Sequence, residues 1–503
     1  RIPPSGTFTL GTRKYNVKLS FINPKDIRNG AQTNYFEGRL YANSRYYEPY
    51  RFGYPKVGEI TSNSLVYQGL SYLGTLLVGE SKRGAFYSIA DGNWNNPSSW
   101  STQGYGGAPS STFPTGTCKV YIGDGKTITL TADRELVNSV VTIDSSGRFM
   151  MQNYVLSGAG SSTFYLFHEA TLGIGNANGI TTAPTASGNL QFAERNYNKG
   201  DDYVTHNRGH FIYTGTGNQV TGSGLPNTAD SLKTLTIDNT GADVTNIVTL
   251  TNDINVIDSL HIKDGQLNIT GKNLALKGNW RITSDGSFNG GTNNETVSFT
   301  GQTSQTVSSE SDLTFRNLTI NKPNEFTFVQ FAPTASGSNM IYIMRGLNFP
   351  ATNNAYINLS PSTSGGFPNY GSGEWALQID QNSNGITRTG AGHIMGELRE
   401  WMPATIGDHT NGTGGKVFHT GTLSAYNPFT LRLSGGSGST AGYLGMQVVN
   451  QLHPDYSQLS NMTFNYPAML GFTKYWRLTK PSYSSFSQGT RRFSITPQYL
   501  DPE

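Results

Sequence analysis

The chain has 503 residues and a net charge of +3, with 60 glycines, 12% aromatic residues and only 14% charged residues. Ala, Glu, Lys and Leu are too sparse for a helical protein. A single cysteine, Cys118, excludes an internal disulfide and any cysteine-built metal site. No apolar run nears 18 residues, so no helix is expected to span a bilayer, and the basic density is too low for nucleic acid. The length allows two to five domains of roughly 100–200 residues each, or one long repetitive unit.

Residues 1–88 form a β-rich segment in which "GTFTLGTRKYNVKLSF" alternates as a strand does. Residues 1–60 hold ten basic and four acidic side chains, so the rest of the chain is slightly acidic. In "ANSRYYEPYRFGYP" the rings of Tyr46, Tyr47, Tyr50, Phe52 and Tyr54 alternate with Arg45 and Arg51. Tyr and Arg are enriched at interaction hot spots, so this stretch is a candidate surface for docking a protein or stacking on sugar rings. The plainer reading is a small β-core with arginines reaching out to solvent. The chain opens at Arg1 without an apolar leader, so a secretory leader is expected to have been removed, unless the chain is an excerpt of a longer one.

Trp94 and Trp100 in "DGNWNNPSSWS" precede the first repetitive strands. They are read chiefly as a cap on the open end of a solenoid, and secondarily as a carbohydrate platform.

Residues 89–390 repeat. "YTGTGNQVTG" (213–222) aligns with "FTGQTSQTVS" (299–308), and "LKTLTIDNTG" (232–241) with "FRNLTINKP" (315–323), giving a unit of about 85 residues. Inside it, Leu260 and Ile262, Leu267 and Ile269, Leu274 and Leu276, and Leu318 and Ile320 alternate with polar residues. That period of two sends every second side chain to a core. Gly and Asp/Asn punctuate the strands as turn formers. Short strands in a long internal period predict a right-handed parallel β-helix of about 20–25 residues per coil, with a β-sandwich array as the alternative. The recurring Leu-Thr-Ile is then structural, with Leu and Ile inside and Thr outside. Residues 391–503 carry longer strands and are expected to form a β-sandwich-like cap, with Trp476 and Leu478 on its inner face.

Candidate chemistry is thin. "GDDYVTHNRGHF" (200–211) superficially resembles the acid pair and Gly-His of polygalacturonase-like hydrolases. However, Asp201, Asp202 and His210 sit too close in sequence to occupy different coils, and no spacing ensures a carboxylate pair about 5–9.5 Å apart. His206 and His210 on one strand would hold their tips too far apart to share a metal. Asp238, Asp243 and Asp253 could touch Ca²⁺ at a turn, but without a ligand loop of 1-3-5 spacing. No catalytic residue and no metal or other cofactor site is assigned.

Several phrases together resemble a known class: "GNWNNPSSW", "VYIGDGKTITL", "VSFTG", "QTVS", "LTFRNLTINKP", "GQLNITGKNLALKG", "GELREWMPA", "YNPFTLRL" and "TKYWRLT". They are similar to large surface and gliding-associated proteins of the Bacteroidota, exported by the type IX secretion system. The likeness covers about residues 89–500 and leaves 1–88 unmatched. Such proteins usually end in a sorting domain, which the residues up to Glu503 do not show. The resemblance implies a non-catalytic, secreted cell-surface protein working in adhesion or gliding, or bound to the outer-membrane translocon. The alternative is a polysaccharide-binding or polysaccharide-degrading β-helix.

Overall fold

The computed structural model describes residues 15–20, 36–42, 45–47, 64–70, 75–80, 85–182, 188–199, 209–227, 232–242, 245–325, 327–333, 339–359, 375–404, 415–423, 425–434, 437–450 and 474–497. These residues form an all-β protein without an α-helix. The chain divides into two compact units, 1–226 and 227–503.

In the first unit, Tyr15–Ser20 pairs antiparallel with Ser64–Leu70, and Phe36–Ala42 lies between Arg45–Tyr47 and Thr75–Glu80. Ala85–Ser88 pairs antiparallel with Trp100–Ser101 and parallel with Lys119–Ile122, and from there the pairing in this unit is parallel and periodic. Lys119 lies opposite Val140, and Val140 opposite Thr163; on a second strip Thr127 lies opposite Arg148, and Arg148 opposite Thr171. Each step advances about 21–23 residues. The inward side chains stack like on like: Val120, Val141 and Phe164 on one strip, Ile128, Phe149 and Leu172 on the other, all fully buried.

The second unit builds the same kind of stack. Leu235 faces Leu260, which faces Trp280, then Val307, then Phe331. A neighbouring strip runs Leu276, Phe299, Ile320. Leu235, Ile237, Leu318 and Ile320 are all fully buried, while Thr236 and Thr319 are only partly so, as alternation predicts. The parallel order reaches Glu397–Met402, which pairs parallel with Ala376–Ile379 on one side and antiparallel with Gly442–Val449 on the other. Gly442–Val449 then pairs with Tyr475–Thr479. A separate antiparallel sheet has the order Lys416–Phe418, Phe429–Ser434, Arg492–Pro497.

Polar side chains bind successive steps together. Gln219 Oε1 accepts from Gly215 N at 2.9 Å, and its Nε2 donates to the carbonyls of Ile174 and Asn176 one step back. Gln305 repeats this with Gly301 N (3.1 Å) and the carbonyls of Leu276 and Gly278. This is why "G-x-x-x-Q" occurs in both copies of the repeat. Each glutamine adds a donor to two carbonyls of the preceding step, where Leu276 O and Ile174 O also accept from the backbone of Thr300 and Thr214. Gly301 must lack a side chain, since a Cβ there would lie 2.1 Å from Lys277 O. Fully buried Lys322 completes the second copy, donating to Gly301 O, Thr303 O and Gln305 Oε1 at 2.6–2.8 Å. At the strand starts, Asp253 Oδ1 accepts from Asn273 N, and Asn273 Oδ1 from Thr296 N, each reaching across one step.

Candidate functional site

The structure describes only some of the residues singled out in the sequence. Trp94 and Trp100 are fully buried and meet edge to face at 5.3 Å, and Trp94 packs on Phe149 at 5.6 Å. Their indole nitrogens donate to Pro114 O and Trp94 O. With no ring face open to solvent they are core residues, which corrects the carbohydrate-platform reading. Arg45, Tyr46 and Tyr47 form a strand pairing with Leu40–Ala42. Their side chains, and all of Tyr50, Arg51, Phe52 and Tyr54, lie outside the described residues, as do Asp201, Asp202, His206 and Asp243.

His210 Nε2 lies 3.3 Å from Glu169 Oε2. Asp238 pairs with Lys263 at 2.9 Å, and Asp253 is occupied by Asn273, so the two described carboxylates of the Ca²⁺ reading do not converge. Among the described residues no three His, Cys, Asp or Glu side chains gather as metal ligands, and no helix is long and apolar enough to cross a membrane.

Titratable groups do collect near Tyr426. Its hydroxyl lies 2.7 Å from His419 Nδ1, and the Arg388 guanidinium sits 3.8 Å above its ring. His393 stacks on Tyr356 at 5.1 Å, and its Nε2 reaches Thr422 O at 2.7 Å. That contact requires the proton on Nε2, since a carbonyl only accepts. Burial pushes His393 and His419 down to about 4, so both rings are neutral at pH 7. Nearby, Glu400 occupies an inward position between Leu398 and Met402, paired with Lys416, and burial raises its carboxyl to about 7. The sequence carried this signal: in "ELREWM" Leu398, Glu400 and Met402 alternate, which puts a Glu on the apolar side of its strand.

The C-terminal strands hold the described surface most suited to a partner. Val448 faces Trp476 and Met446 faces Leu478, so Trp476 and Leu478 share one face of their sheet, as expected from sequence. Opposite them lie Phe429, Phe493, Ile495 and Pro497 of the second sheet. Between the two is a groove of about 440 Å³, closed by Lys474 and Tyr475. Its apolar lining is not fully covered: Leu478 and Phe493 are each 37% exposed and Ile495 is 56% exposed. Among the described strands, Tyr475–Thr479 pairs with Gly442–Val449 and Arg492–Pro497 with Phe429–Ser434. Sequence reasoning identified the shared face but not the groove, which depends on how the two sheets meet.

No family model, characterised protein or solved structure matches the chain.

Proposed function

We propose that this is a non-catalytic cell-surface protein whose stacked strands form a right-handed parallel β-helix and whose C-terminal sheets dock a partner protein. Support for the helix comes from parallel strips that advance about 21–23 residues per step. The observation that carries the docking reading is the apolar groove, whose lining residues Leu478, Phe493 and Ile495 stay partly exposed. A partly exposed apolar groove accepts the apolar side chains of a partner segment, which gives the contact its selectivity. Export by the type IX route, and a place beside the outer-membrane translocon or in adhesion and gliding, belong to the same proposal and rest on the sequence resemblance.

The test is native co-purification of the tagged endogenous protein, alongside an Ile495→Asp variant. The expected result is stoichiometric recovery of secretion or gliding components with the wild type, lost in the variant. Recovery of the wild-type protein alone, or of the same partners with the variant, would overturn the reading.

A further inference from the structure

The outward face of the sheet that ends the parallel stack carries a different chemistry from the groove. Tyr342, Gln378 and Arg399 lie in register on three neighbouring parallel strands. The row continues through Gly445 to Thr479 on the antiparallel side. Adjacent strands are about 4.8 Å apart, so the row suits an elongated ligand lying across them. Gly445 lets Glu397 and Thr479 meet over the backbone, where Thr479 Oγ1 donates to Glu397 Oε1 at 3.0 Å; a Cβ there would lie 2.3 Å from Glu397 Oε1 and 2.5 Å from Thr479 Oγ1.

Tyr483 folds back over this row. It is 58% exposed, yet it is held at its tip. Its hydroxyl donates to Gln378 Oε1 and accepts from Arg399 Nη1 at 3.2 Å. Arg399 is itself fixed by Glu397, at 2.9 and 3.3 Å. Beside it, Tyr443 meets Tyr483 at 6.3 Å and Trp401 at 5.1 Å, extending the aromatic surface. An exposed ring already fixed by its neighbours loses little freedom when a ligand stacks on it.

We infer that this face, centred on Tyr483, Trp401, Tyr443, Gln378 and Arg399, binds a neutral polysaccharide. Aromatic faces suit the C–H surfaces of sugar rings. Gln378 is buried beneath this surface and holds the Tyr483 tip, while the partly exposed Arg399–Glu397 pair offers a donor and an acceptor side by side, as vicinal hydroxyls require. Charge argues against an anionic polymer. Glu397 already neutralises Arg399, and Asp312 and Asp380 act electrostatically on Tyr342 and Tyr443.

Affinity electrophoresis of the full chain tests this, in native gels containing laminarin, mannan or xyloglucan, with heparin as the anionic control. At least one neutral polymer is expected to retard the wild type, and Tyr483→Ala and Trp401→Ala each to weaken that retardation at least tenfold. Far-UV circular dichroism and the melting temperature check the fold of each variant. Tyr483→Phe, which keeps the ring but releases its tip, is expected to fall between. Retardation by none of the three neutral polymers, by heparin alone, or undiminished by both alanine substitutions, would overturn the inference.

Discussion

The parallel steps of residues 254–358 and the antiparallel strands of residues 397–497 obey the same alternation of side chains, but their interiors differ. In the parallel steps Gln305 and Lys322 form a bonded network, holding between them four carbonyls and one another. In the antiparallel strands the interior admits Glu400, the space beneath Trp476 stays partly open, and two neutral histidines are packed nearby. A repeat lets one successful set of hydrogen bonds be reused at each step. Where it ends, the chain has no template, and unfilled surface and ionisable groups remain available for binding.

The largest expected effect lies inside the parallel steps. Trp280 packs edge to face on Phe288 and Phe315, at 4.7 and 6.0 Å. Trp280→Ala is expected to cost about 3–5 kcal/mol, read as the unfolding midpoint in urea. A loss below about 1 kcal/mol would show that this interior is no tighter than the groove.

Gln305→Ala comes next. It removes the side-chain donor from Gly278 O and one of the donors to Leu276 O, which keeps Thr300 N, and removes one partner each from Gly301 N and Lys322. About 2–3 kcal/mol is expected by the same measurement.

Acid should act on the antiparallel side. His393 and His419 titrate at about 4 in the folded chain, against an ordinary value of 6.5. Between those values the unfolded chain holds more protons on these rings, so stability falls as pH drops from 6.5 towards 4. Glu400 has the opposite sign: raised to about 7 from 4.5, it takes its proton in the folded state first and gains stability over pH 7 to 4.5. Urea midpoints at pH 7 and 4.5 should therefore fall for the wild type and fall further for Glu400→Gln. An equal fall in both would remove Glu400 from the account.

The smallest effect is expected in the groove. Ile495→Ser, at a half-exposed position, should change stability by less than about 1 kcal/mol, measured by thermal melting. A larger loss would mean that the groove is core.

Much of the stack was legible in the sequence because alternation is local: Leu235, Ile237, Leu318 and Ile320 point inward because their neighbours point outward. Trp476 and Leu478 were legible for the same reason. What sequence could not show was contact across a step. Gln219 and Gln305 look like ordinary polar residues until the carbonyls about 30–45 positions earlier are brought beside them. The Tyr483 face has the same cause, since Tyr483, Arg399 and Gln378 are far apart along the chain and meet only through strand register. Trp94 and Trp100 were ambiguous because a cap and a sugar platform call for the same residue.

The glutamine link also bears on how such a chain can grow. Gln305 and the carbonyls it grips, Leu276 and Gly278, lie within one stretch of about 30 residues, and Gln219 with Ile174 and Asn176 within about 45. A duplicated gene segment of repeat length therefore carries its own plug together with its own socket. Lengthening by duplication needs no matching change in the neighbouring copy, so the number of copies is free to drift while each joint stays intact.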